Sequence, residues 1–255
     1  MRLRWTTYRR CANPCKHFFD ASKVTFAMLV LGHRGASAVE RENSVAAFRR
    51  AVEQGADGVE LDVRRTADGT LAVHHDEHLA DGRRLLELGR GDLAGVVDEL
   101  ADVLDACRPL GLVNIEIKNW PEDGDFDAAT SLVDAVADLL EARGELDERI
   151  LVSGFHLGTV DRMRERLPEV ATGWLLGLFE DPAPLIETAA ERGHAAVHPH
   201  HLFVDERFVA LAHDAGLQVN TWTCDDPDRI RELAALGVDA VITNVPDVAL
   251  AALGR

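Results

Sequence analysis

The sequence predicts a single (β/α)8 barrel, a TIM barrel of the α/β class, and three observations lead there. From residue 28 onward, short β-branched runs alternate with amphipathic helical stretches, the pattern of a parallel sheet covered by helices. Nine runs read as strands, but two of them are joined by a turn too short to hold a helix, which leaves eight parallel strands. No linker rich in Pro, Gly or Ser interrupts the chain, and its 255 residues suit one barrel of about 250 residues.

The strands are expected at 28–32, 58–64, 71–75, 113–118, 150–155, 171–176, 195–198, 218–223 and 240–243. Helices are expected at 44–54, 97–108, 126–143, 159–166, 183–192, 205–215 and 227–236. Gly55, Gly144, Gly193, Gly216 and Gly237 follow five of these helices, as left-handed caps do. The exceptional connection is 65–70, Arg-Thr-Ala-Asp-Gly-Thr, which reads as a hairpin turn. It makes 71–75 an antiparallel arm on the second parallel strand. With the turn centred near Ala67-Asp68, Glu60 stands opposite His75, and Asp62 opposite Val73.

Residues 1–25 differ from the barrel domain at 26–255. They carry six basic side chains against Asp20, with no apolar core of a signal peptide, and read as a disordered leader; Met28 is a candidate start. Acidic residues number 44 against 27 basic ones, so nucleic-acid binding is not expected. No run of about 18 apolar residues offers a membrane span, and the four cysteines read as reduced thiols; the chain is expected in the cytoplasm. Cys11 and Cys15 have a CxxxC spacing without a second pair.

Chemistry gathers at strand ends. The first strand delivers His33-Arg34-Gly35, a proton shuttle and an anion fork, to the barrel mouth. Glu60 and Asp62 are two apart and share a face, as do Glu116 and Lys118. Parallel barrel strands are covered on their outer side, so these acids point inward, where they are costly unless paired or metal-bound. Parity in the hairpin adds His75 and turns His74 away. Three carboxylates with oxygen-only donors suit one hard divalent ion, Mg²⁺ or Ca²⁺. That ion beside Arg34, Lys118 and two imidazoles fits stabilisation of an anionic, phosphorane-like transition state.

Through His33-Arg34-Gly35, Glu42-Asn43-Ser44, Glu60-Leu-Asp62, His75-Asp76, Glu116-Ile-Lys118, Ser153-Gly-Phe155, Trp222-Thr223 and 237–243, the sequence resembles the glycerophosphodiester phosphodiesterases over residues 28–250. The resemblance implies a (β/α)8 barrel that hydrolyses a small-molecule glycerophosphodiester to an alcohol and sn-glycerol 3-phosphate with a divalent metal. It implies metal ligation by Glu60, Asp62 and Glu116, acid/base work by His33 and His75, and phosphate binding by Arg34 and Lys118. Trp222 would line the pocket, and Glu42 would orient the loop by pairing with Arg34. Asn43 and Ser44 have helix-capping chemistry. The chain departs from the family at Ser44 (commonly Thr), at the shortened insertion after His75-Asp76, and at Asn244 (commonly Asp), whose change carries no derivable consequence. His198-Pro-His-His201 looks like a metal cluster but has no evident fourth ligand. The alternatives are a lysophospholipase D-like enzyme on lipids, or a barrel that binds phosphate or metal without turnover.

Overall fold

A computed structural model describes residues 27–255; the basic leader, Cys11 and Cys15 lie outside the described residues. The strands are β1 (Leu29–His33), β2 (Gly58–Arg65), β3 (Leu71–Val73), β4 (Leu112–Ile117), β5 (Ile150–Gly154), β6 (Ala171–Leu175), β7 (Ala196–His198), β8 (Gln218–Thr221) and β9 (Ala240–Thr243). All but β3 pair in parallel, and β1 closes on both β2 and β9. β3 lies outside the barrel, antiparallel on β2. The expected architecture is therefore the observed one.

The helices are α1 (Val45–Glu53), α2 (Arg90–Leu93), α3 (Leu100–Ala106), α4 (Ser131–Arg143), α5 (Leu157–Arg166), α6 (Ala183–Glu191), α7 (Glu206–Asp214), α8 (Pro227–Leu236) and α9 (Pro246–Ala252). Ser44 caps α1 by accepting from the Ala47 amide, and the glycine after each of five helices adopts positive φ, as the sequence predicts. The stretch 97–108 is helical only from Leu100, because Asp98 and Glu99 bond outward to Arg41 and Arg90. The stretch 126–143 starts late because the Asp127 carboxylate turns back to accept from the Ser131 and Leu132 amides. α9, opened by Pro246, escapes the periodicity reading because it is short.

The register of the hairpin corrects the expected one. Val63 pairs with Val73, Arg64 with Ala72 and Arg65 with Leu71, a slip of one residue. Thr66 faces Thr70, leaving three loop residues with Gly69 at φ +82°, and the Asp68 carboxylate accepts from Thr66 and Thr70. An odd loop with a left-handed glycine moves every opposed pair by one. The ladder ends at Val73, so parity does not decide where His75 points.

Apolar packing occupies two zones. Leu31, Leu112, Leu151, Ala240 and Ile242 form a plug inside the barrel, and two larger clusters fill the ring between strands and helices. Above the plug the interior turns polar through Asn114, Ser153, His198 and Asn220, all buried. The segment after β3, polar by composition, folds over its own apolar cluster of Ala72, Leu79, Leu85, Leu88, Leu93 and Val97.

Gly35 has a packing job. It sits at φ +86°, and a Cβ there would lie 2.5 Å from the Ala47 carbonyl carbon of α1. Gly69 has nearly the same φ with nothing within 4 Å. Gly69→Ala is expected to cost about 1–2 kcal/mol from backbone conformation alone. Gly35→Ala should cost about 2–5 kcal/mol, since overpacking adds to it. Thermal melts of the two variants measure the difference, and equal losses would refute the crowding at α1.

Candidate active site

The strand pleat brings Glu60 and Asp62 of β2 beside Glu116 of β4. Asp62 and Glu116 are register partners, and His33 at the end of β1 pairs with Glu60. The three carboxylates are 3%, 1% and 8% exposed, and one oxygen from each falls within a 4.8 Å cluster. Glu60 Oε1 and Asp62 Oδ1 are buried with no hydrogen-bond partner among the described residues. Lone pairs left bare beside like charges are what a hard cation would satisfy, so the donor set fits the Mg²⁺ or Ca²⁺ expected from the sequence.

Nearby cations compensate in part. Lys118 Nζ donates to Glu116 Oε1 at 2.8 Å and lies 3.7 Å from Asp62 Oδ1. Arg34 Nε lies 3.1 Å from Asp62 Oδ2, though poorly aligned for a hydrogen bond. The charges sort accordingly. Burial, then Asp62 and Glu116, push Glu60 well above the usual carboxylate range, and burial also raises Glu116. Burial pushes Asp62 up too, but Lys118 and Arg34 outweigh it and hold it below its ordinary value.

The β1–α1 loop builds the anion side. Arg34 and Asn43 both hold positive φ, at 55° and 54°, an uncommon strain for residues with side chains. The Arg34 amide donates to Glu60 Oε2, and its Nη1 donates to both oxygens of Glu42 at 3.0 Å. Nη2 has no hydrogen-bond partner among the described residues. Asn43 Nδ2 donates to Asp62 Oδ2 at 2.7 Å, and Asn43 Oδ1 accepts from the Asp62 amide. Strain in this loop is thus held in place by the carboxylates it serves.

His33 and His75 each have Nδ1 occupied. His75 Nδ1 lies 2.6 Å from Asp76 Oδ1, and the His75 ring acts electrostatically on Asp62 and Glu116. His33 Nδ1 lies 2.7 Å from Asn244 Oδ1, and His33 Nε2 is 4.0 Å from Glu60. Asp225 accepts from both the amide and Nδ2 of Asn244, so Oδ1 is the atom left to face His33. An acceptor there requires hydrogen on Nδ1 and leaves the Nε2 lone pair of a neutral ring toward the mouth. Burial and then the Arg34 charge lower the His33 pKa, which keeps that ring neutral.

The aromatic wall is Trp222, edge-on to Phe155 and His200, with Trp120 edge-on to Phe155. The tandem histidines separate. His198 is fully buried inside the barrel, where burial pushes it down to about 3 and Gly173 leaves it room. His200 and His201 stack at the rim. Among the described residues the carboxylate trio is the one group placed to hold a metal. All nine residues singled out from the sequence therefore lie at one end of the barrel. Reading the sequence missed Asn43 and Arg64 as contacts of the site, although Arg64 continues the row of Glu60 and Asp62. It also gave Asn244 no consequence and contained no sign of Asp225.

The family model described as "Glycerophosphoryl diester phosphodiesterase family" matches residues 33–248. The chain is 29% identical over 244 residues to a glycerophosphodiester phosphodiesterase of Bacillus altitudinis, covering 87% of this chain and 96% of that protein. A Caldanaerobacter subterraneus protein of the same name is 29% identical over 245 residues, with 86% and 95% covered. The crystal structure of a Thermotoga maritima glycerophosphodiester phosphodiesterase superposes with a TM-score of 0.75 at 28% identity, covering 90% of this chain and 99% of that one.

Burial raises the Glu60 pKa, so in the metal-free protein this carboxyl binds a proton more tightly when folded than when unfolded, above about pH 4.5. The Glu60 contribution to stability should therefore fall as pH rises toward 8. Glu60→Gln is expected to raise the melting temperature of the metal-free protein at pH 8, by about 3 °C or more. The gain should shrink toward pH 5. A lower melting temperature at pH 8 would show that the carboxylates do not repel.

Proposed function

The chain belongs to the glycerophosphoryl diester phosphodiesterase family, and we propose that it hydrolyses glycerophosphodiesters by passing protons between His33 and His75 across a phosphate bound at the carboxylate cluster. The product would be an alcohol and sn-glycerol 3-phosphate. The observation that carries this reading is the trio Glu60, Asp62 and Glu116 with two bare oxygens, His33 standing 4.0 Å from Glu60, and His33 and His75 each engaged through Nδ1.

Glu60, Asp62 and Glu116 would hold one divalent ion, Mg²⁺ or Ca²⁺. Bound there, the ion supplies positive charge against the oxygens of the phosphorane-like transition state. Arg34, fixed by Glu42, would take a phosphate oxygen with its Nη2, and Lys118 a second. His33 is suited to the base role, because Asn244 fixes its tautomer and burial keeps it neutral. It would accept a proton on Nε2 from the attacking hydroxyl. His75, held by Asp76 through Nδ1, would give a ring proton to the departing alkoxide. Trp222 and Phe155 would flank the organic group. Among the described residues no helix is long and apolar enough to cross a membrane. Cys107 and Cys224 are free and buried, and thiols left unpaired in this way support the proposal of a cytoplasmic enzyme.

One observation favours a second reading, action on a lipid phosphodiester. Leu178 and Leu202, 90% and 73% exposed, follow β6 and β7 at the mouth. Turnover of a lysophospholipid faster than of glycerophosphoethanolamine would establish it.

His33→Ala and His75→Ala are each expected to lower kcat about 10²–10⁴-fold while the melting temperature holds. EDTA should abolish turnover, and Mg²⁺ or Ca²⁺ should restore it. Wild-type turnover in either variant would overturn the acid/base assignment, and full activity in EDTA would overturn the metal.

A further inference from the structure

Arg64 is the third member of the inward row Glu60, Asp62, Arg64 on β2, one rung nearer the mouth than the carboxylates. It is 3% exposed, and its guanidinium is fully engaged. Nη1 donates to both oxygens of Asp125 at 2.6 and 2.7 Å, Nη2 to Asp123 at 2.8 Å, and Nε to the backbone carbonyl of His75 at 2.6 Å. Two carboxylates already balance the charge, so the bond to the His75 carbonyl is not needed for neutralisation.

That bond sits where regular structure stops. The β2–β3 ladder ends at Val73, and beyond it the His74 amide makes one further bond, to the Asp62 carbonyl. The backbone that carries His75 is therefore held from below by Asp62 and from its own carbonyl by Arg64. The outer end of Arg64 is anchored in turn to the loop between β4 and α4. We infer that Arg64 is the positioning residue for His75. It fixes the His75 peptide, while Asp76 fixes the ring about Nδ1, so that Nε2 is presented to the leaving oxygen. The guanidinium fork is required, since it must reach a carbonyl and two carboxylates in three directions at once.

This inference rests on His75 acting as general acid, and the test separates the two claims. An alkyl alcohol leaves only with a proton, whereas p-nitrophenolate leaves without one. Kinetics would be measured on glycerophosphoethanolamine and on the p-nitrophenyl diester of sn-glycerol 3-phosphate. For Arg64→Met, kcat on the alkyl substrate should fall about 10–100-fold, with KM within about twofold. On the nitrophenyl substrate kcat should fall less than about threefold. Arg64→Lys should lie between Arg64→Met and wild type. His75→Ala should show the same selectivity with a larger loss. If His75→Ala loses both substrates equally, the acid role fails. If His75→Ala is selective and Arg64→Met is not, the positioning role fails. Should Arg64→Met not fold, Asp125→Asn replaces it. That variant leaves Nη1 a single neutral acceptor in place of the carboxylate and so loosens the guanidinium, and a loss equal on both substrates would overturn the proposal.

Discussion

Three carboxylates buried within 4.8 Å of one another are the constraint from which the mouth of this barrel is built. Ionised side chains in such a place repel, and each must also give up its hydration. The protein answers with cations from two directions, Lys118 from β4 and Arg34 from the end of β1. The answer is incomplete, because Glu60 Oε1 and Asp62 Oδ1 stay bare and Glu60 stays raised. A stable protein retains that deficit where a ligand removes it.

The loops around the cluster follow from the same demand. Arg34 and Asn43 take left-handed backbone conformations, and each is repaid by contacts to Glu60 or Asp62. Gly35 lets the loop run against α1 closely enough for this to happen. Farther out, Asn244 and Asp225 set the His33 ring, while Asp76 and Arg64 set His75. The two histidines are thus held by unlike partners, a neutral amide on one side and a carboxylate on the other. The asymmetry suits the two different proton-transfer roles proposed for them.

What the sequence made legible was set by short-range periodicity. Period-two alternation put Glu60 with Asp62 and Glu116 with Lys118, and alternating β and α runs fixed the barrel. His75 came from a hairpin register that is off by one. Its position is set instead by irregular backbone past Val73, which no parity rule reaches. Asn244 meets His33 across 211 residues, and Arg64 meets Asp125 across 61. Such contacts depend on where loops land once the barrel closes, and nothing in the local pattern encodes them. The closing of the barrel by β1 on β9 is what turns Asn244 from an unremarkable substitution into a partner of His33.

The most direct test of this account is diffraction from crystals soaked in Mn²⁺, with anomalous maps at the manganese edge. A single peak ligated by oxygens of Glu60, Asp62 and Glu116, at about 2.0–2.6 Å, is the expected result. Lys118 should keep its contact with Glu116 or swing toward the phosphate site. A carboxylate cluster with no peak, bridged only by the Lys118 ammonium, would contradict the claim that a divalent cation completes it.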